Sequence, residues 1–135
     1  MLHERPLIMV VDTDSLFVEL LADLFAEAGY QMITCQHSGA APTIIRREQP
    51  DLIVLDTWIE HPDSGLLLLE LLRRVPATQA IPVLVCTADS WLLTQDAEHL
   101  RSLGCTVLPK PFDLDAFLTM VRARIAIGLA SAVGV

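Results

Sequence analysis

Short apolar runs separated by helix-length segments constrain this chain more than any other feature of its sequence. The runs are Leu7-Ile8-Met9-Val10-Val11, Leu52-Ile53-Val54-Leu55, Ile81-Pro82-Val83-Leu84-Val85-Cys86 and Cys105-Thr106-Val107-Leu108, with a more mixed run over 31–35. Continuous apolar character, rather than strict alternation, is the pattern of parallel strands buried on both faces. Strands are expected at about 7–12, 31–35, 52–56, 81–86 and 105–108. Pro82 falls at the start of its strand, where a missing backbone donor does least harm.

Helices are expected between them. The first covers about 14–28, with Leu20, Leu21, Leu24 and Phe25 on one stripe and Gly29 as its stop. The second begins after Ser38-Gly39 and ends before Pro50, because a residue preceding proline avoids the helical region. The third spans about 65–75 and ends at Pro76. The fourth follows the N-cap candidates Asp89 and Ser90 and ends at Gly104. The fifth begins after Asp113, with Leu114, Phe117, Leu118, Val121 and Ile125 at helical spacing. Residues 1–128 form one domain in this reading, and 129–135 are a tail or the start of a linker. The small residues from Gly128 onward are expected to fray.

Five βα units imply an α/β sandwich around a five-stranded parallel sheet. Right-handed crossovers leave few topologies, of which the doubly wound, flavodoxin-like order 2-1-3-4-5 is the commonest at this size. In such a sheet ligands bind beyond the carboxyl ends of the strands, where four polar residues stand: Asp12, Asp56, Thr87 and Lys110. Strands one and three are neighbours in that order, so Asp12 and Asp56 lie about 5 Å apart at the backbone. Lys110 is roughly 10 Å from strand three, within reach of an extended lysine. Two carboxylates, a hydroxyl and an ammonium suit a metal ion and a phosphoryl group.

Composition removes other classes. Apolar residues make up 53% of the 135, which is a folded chain's content. With 9 basic against 17 acidic side chains, a net charge of −8 and no basic run, neither nucleic acid nor an anionic membrane is an expected partner. The N-terminal residues lack a signal-peptide core, and the Gly65–Leu72 run is too short to span a bilayer. A cytoplasmic protein is expected. Cys35, Cys86 and Cys105 have no close-spaced partners, so they read as reduced core residues and not as zinc ligands.

Asp12 after strand one, Asp56 after strand three, Thr87-Ala88 after strand four and Lys110-Pro111-Phe112 after strand five together resemble a response-regulator receiver domain. The resemblance covers about residues 6–127 and implies a two-component signalling module, not an enzyme. It implies that Asp56 accepts a phosphoryl group from a histidine kinase or a histidine phosphotransfer protein. Asp12, Asp56 and the backbone carbonyl of Trp58 would hold Mg²⁺. Thr87 would donate its hydroxyl to the phosphoryl group, with Ala88 beside it, and Lys110 would pair with its charge. Pro111 would follow a cis peptide bond. It also implies an output partner that the residues do not name, and a homodimer through the helix four–strand five–helix five face.

The chain departs from the family pattern in three places. Thr13 stands where receivers carry a second acid, with Asp14 next, so Mg²⁺ affinity should fall unless Asp14 or water compensates. Pro62 comes six residues after Asp56 instead of four, and Ser64 intervenes, so the loop is one residue longer. Val107 replaces the Tyr or Phe that usually reports on the Thr position. Thr13 and Val107 favour an alternative: a pseudo-receiver that binds partners without phosphorylation. A second alternative is a haloacid-dehalogenase-type phosphohydrolase, with Asp12-Thr13-Asp14 as its D-x-D pair and Asp12 as nucleophile. Against it, Asp113 and Asp115 lack the needed metal-motif spacing and Asp56 has no role. A flavodoxin is disfavoured because no Ser/Thr/Gly-rich loop follows strand one. The leucines of helix three are read either as a deeply buried helix or as a contact surface. Trp91, Leu92 and Leu93 are read mainly as core.

Overall fold

The computed structural model describes residues 3–57, 59, 61, 63–88 and 97–132, with side chains as far as residue 128. The carbonyl of Trp58, Pro62, the N-cap candidates Asp89 and Ser90, and the Trp91-Leu92-Leu93 cluster lie outside them.

The strands are β1 (Leu7–Val11), β2 (Gln31–Cys35), β3 (Leu52–Leu55), β4 (Val83–Thr87) and β5 (Thr106–Pro109). They form one parallel sheet in the order β2-β1-β3-β4-β5, as the sequence predicts. The described helices are α1 (Ser15–Glu27), α2 (Ala41–Glu48), α3 (Ser64–Arg74), α4 (Ala97–Ser102) and α5 (Leu114–Ala132). Alternate side chains of each strand point to opposite faces, which explains why the central runs are apolar throughout. Ile8, Val10, Leu52, Val54, Leu84 and Cys86 face Leu21 and Phe25 of α1 and Phe117, Val121 and Ile125 of α5. Met9, Val11, Ile53, Leu55, Val83 and Val85 face Ile45 of α2, Leu69 and Leu72 of α3 and Leu100 of α4. Fully burying one such side chain contributes roughly 1.5–3 kcal/mol.

Helix ends follow local chemistry. Asp14 caps α1, its side chain accepting from the Leu16 and Phe17 amides. Gly29 and Gly104 take positive φ where α1 and α4 stop, and Gln49 does so after α2. Arg73, at the end of α3, donates from Nε to the Leu103 carbonyl at 2.6 Å and from Nη1 to Gln79 and Ile81 at 3.1 and 2.8 Å. One guanidinium thereby ties α3 to the turn before β5 and the loop before β4.

Two expectations need correction. Leu20 does not join the buried stripe of α1; it is 44% exposed, on the outer face with Leu16. The residues directly after Gly128 do not fray either, because α5 continues to Ala132. A single glycine costs a helix about 1 kcal/mol, and the alanines around it are the best helix formers. In α3, Leu68, Leu69 and Leu72 are buried while Leu67 and Leu71 face out, so that helix is partly core and partly surface. Among the described residues no helix is long and apolar enough to cross a membrane.

Candidate functional site

Backbone ladders deliver the site residues to one edge of the sheet. Register pairs Val11 with Leu55, so Asp12 and Asp56 leave adjacent strands side by side. The Asp12 amide donates to the Cys35 carbonyl at 3.3 Å and the Asp56 amide to Val11 at 3.1 Å. Across the sheet the Lys110 amide donates to the Thr87 carbonyl at 2.8 Å, and the Lys110–Pro111 peptide bond is cis. Each residue is therefore fixed at its backbone by the last rung of a ladder.

The charged groups converge. Lys110 Nζ lies 3.1 Å from Asp12 Oδ2 and 3.5 Å from Asp56 Oδ2. The ammonium also sits 4.3 Å from the centre of the Phe17 ring, whose edge meets Phe112. The aromatic face attracts a cation and shields it from water. Asp12 is only 2% exposed, and a carboxylate that deep requires a partner. Burial by itself would lower the Lys110 pKa, but the charges of Asp12 and Asp56 outweigh it and raise the value above the ordinary 10.5.

These shifts predict an alkaline instability. The Lys110 ammonium stabilises the fold fully below 10.5 and is lost as pH rises through its raised folded value. Buried Cys86 acts with the same sign: burial pushes its thiol up to about 12, so the unfolded chain releases that proton first, from about 9.0 upward. The urea midpoint should be flat through neutral pH and decline from about 9.0. Lys110→Met should remove the part of the decline that begins above 10.5.

The acidic pair offers hard oxygen donors. Among the described residues no three His, Cys, Asp or Glu side chains converge on a metal position; Asp12 and Asp56 are the carboxylates at this edge that could hold one. Mg²⁺ is commonly held by one or two carboxylates with waters filling its octahedron, and this donor set fits it. Thr13 is exposed, and Asp14 is used elsewhere: its Oδ1 caps α1 while its amide donates to Asp12 Oδ1 at 2.9 Å.

The loop after Asp56 is braced from the start of α3. Ser64 Oγ accepts from the Ile59 amide at 2.9 Å and donates to the His61 carbonyl at 2.8 Å. The Gly65 amide donates to the Thr57 carbonyl at 2.9 Å. A Cβ on Gly65 would overlap the Asp56 carbonyl oxygen and lie 2.5 Å from Thr57 Cα. Thr87 is 1% exposed, and its hydroxyl meets that of Thr57 at 2.8 Å. Ala88 beside it is exposed. Val107 lines an open cavity of about 570 Å³ with Leu100, Arg101, Pro109 and Arg124.

Thus Lys110 contacts both Asp12 and Asp56, and Thr87 stands at the end of the strand between β3 and β5. Sequence reasoning did not single out Phe17, Thr57 or Gly65 as site residues. Gly65 carried the only local signal, a glycine at the start of a helix where glycine is a poor former.

Comparison with known proteins agrees with this fold. The family model described as the response regulator receiver domain matches residues 8–122. The polar-differentiation response regulator DivK of Brucella anthropi is 30% identical over 118 residues, covering 86% of this chain and 93% of that protein. The non-phosphorylated HemR receiver domain from Leptospira biflexa superposes with a TM-score of 0.79 at 26% identity, over 90% of this chain and 94% of that one. The receiver domain of the sensor histidine kinase PA1611 from Pseudomonas aeruginosa PAO1, at 20% identity, shares the fold with a TM-score of 0.77 over 90% of this chain and 98% of its own; it carries a magnesium ion coordinated in its active-site cleft.

Proposed function

This chain belongs to the response regulator receiver domain family, and from that premise we propose that Asp56 accepts a phosphoryl group from the phosphohistidine of a kinase or phosphotransfer protein. The observation that carries the reading is the Lys110 ammonium seated against both Asp12 and Asp56 at the carboxyl edge of the sheet. An Asp56 carboxylate oxygen attacks phosphorus as the phosphorus–nitrogen bond to the donor histidine breaks, and the imidazole leaves with that electron pair. Phosphoryl transfer depends on positioning and charge neutralisation more than on covalent help from the protein. Here the backbone ladder positions Asp56, and Lys110 follows the charge as it moves onto the phosphoryl oxygens. Thr87 supplies a neutral donor from the neighbouring strand.

Mg²⁺ bound through Asp12, Asp56 and the Trp58 carbonyl would supply the countercharge that lets a phosphodianion approach two carboxylates. The magnesium in the cleft of the PA1611 receiver domain supports a magnesium ion at this edge; the ligand set is our assignment. The acyl phosphate adds about −1.5 to −2 charges at one spot, and this change alters which partners the surface binds. The α4–β5–α5 face, with Arg101 and Arg124 at its cavity, is the proposed surface for an output partner or a second copy. A cytoplasmic location, beside its phosphoryl donor, fits this role.

Incubation with acetyl phosphate and Mg²⁺, followed by intact mass and peptide mapping, tests the reading. One phosphoryl adduct on the peptide carrying Asp56, prevented by chelating the metal, is the expected result. No adduct under any condition would leave the pseudo-receiver reading in its place.

A further inference from the structure

Thr57 and Thr87 form a buried hydroxyl pair, with oxygens 2.8 Å apart on residues 3% and 1% exposed. Thr57 directly follows the phosphoryl acceptor, and Thr87 ends β4. Each hydroxyl has one proton to donate and two lone pairs to accept with. One proton lies between the two oxygens, which leaves the other for a second acceptor. A phosphoryl oxygen on Asp56 is an anionic acceptor, and hydrogen bonds to it are roughly twice as strong as those between neutral groups. It therefore draws the Thr87 proton. Only one arrangement then keeps the pair bonded: the Thr57 hydroxyl donates to Thr87 Oγ1, and Thr87 donates onward.

Resting on the acceptor role of Asp56, we propose that Thr57 is a positioning residue that aims the Thr87 O–H at the phosphoryl group. Thr57 is well placed to do so. Its carbonyl is held by the Gly65 amide at 2.9 Å, so its backbone is anchored to the first turn of α3. Donating to Thr87 also polarises that hydroxyl, because linked hydrogen bonds strengthen one another. Val107 brings no ring to report on Thr87, so in this chain the hydroxyl pair ties Thr87 to the Asp56–Gly65 loop instead.

The test measures adduct formation from acetyl phosphate and Mg²⁺ by intact mass in the full chain and its variants. Thr57→Val should slow formation about threefold to tenfold, the worth of one neutral hydrogen bond such as that between the two hydroxyls. Thr57→Ser, which keeps the donor, should restore most of the rate. In a Thr87→Val background the Thr57→Val change should be silent, since Thr57 acts only through Thr87. Equal slowing in both backgrounds would mark a packing defect and overturn the proposal. Should Thr57→Val fail to fold, Thr57→Ala is read by the same comparison. An adduct on the unaltered chain with an unchanged rate in Thr57→Val overturns this inference alone. No adduct on the unaltered chain overturns the acceptor reading and the inference with it.

Discussion

Asp56→Asn is expected to fold normally and to carry no phosphoryl adduct after exposure to acetyl phosphate and Mg²⁺. The amide nitrogen and oxygen of Asn cannot replace a carboxylate as a nucleophile for phosphorus, so the loss should be complete. Stability should hold or rise, because the change removes one of two carboxylates that crowd around the Lys110 ammonium. Urea unfolding beside intact mass separates these effects. Asp12→Asn gives the contrasting result. It leaves the acceptor in place but removes one hard oxygen donor and half of the charge that holds Lys110, so adduct formation slows and stays on the Asp56 peptide. An adduct lost only with Asp12→Asn, accompanied by turnover, would instead make Asp12 the nucleophile and restore the phosphohydrolase reading. That outcome would leave the proximity of Asp56 to Lys110 without a purpose.

Gly65→Ala should be the most damaging conservative change in the chain. Nothing in the backbone conformation demands glycine there, since Gly65 is not among the positive-φ residues. What demands it is space. The absent side chain leaves room for the Asp56 carbonyl and Thr57 Cα, both backbone atoms that cannot rotate aside. Overpacking of this kind costs about 3 kcal/mol, which denaturant unfolding would register as a lower midpoint at unchanged slope. If the loop gives way instead, Asp56 shifts against Lys110 and the cost appears in the rate of adduct formation with stability kept. Unchanged stability together with an unchanged rate would refute the steric account.

Parts of this protein were legible before any coordinates. β1 and β3 could be read from Leu7–Val11 and Leu52–Leu55 because strands buried on both faces must be apolar at every position. Asp12, Asp56 and Lys110 could be placed together because strand order fixes which carboxyl ends are neighbours. The reading of α1 failed at Leu20, because a run of adjacent leucines spreads over more of the helix than the core can cover, and nothing local says which one turns out. The end of α5 was missed because the small residues from Gly128 onward were read as a fraying tail, without weighing that alanine is the best helix former.

Residue pattern alone determined the class of fold, the sheet order and the charged centre, since each follows from periodicities and chain connections that any copy of this sequence carries. Tertiary structure decided the rest: Phe17 beneath the Lys110 ammonium, the Gly65 vacancy beneath the Asp56 carbonyl, and the hydroxyl of Thr57 against that of Thr87, 30 residues away in the chain. The physical reason is that these contacts join separate elements within a few ångströms, and short-range contact depends on how helices and strands settle against one another, a quantity no local pattern encodes.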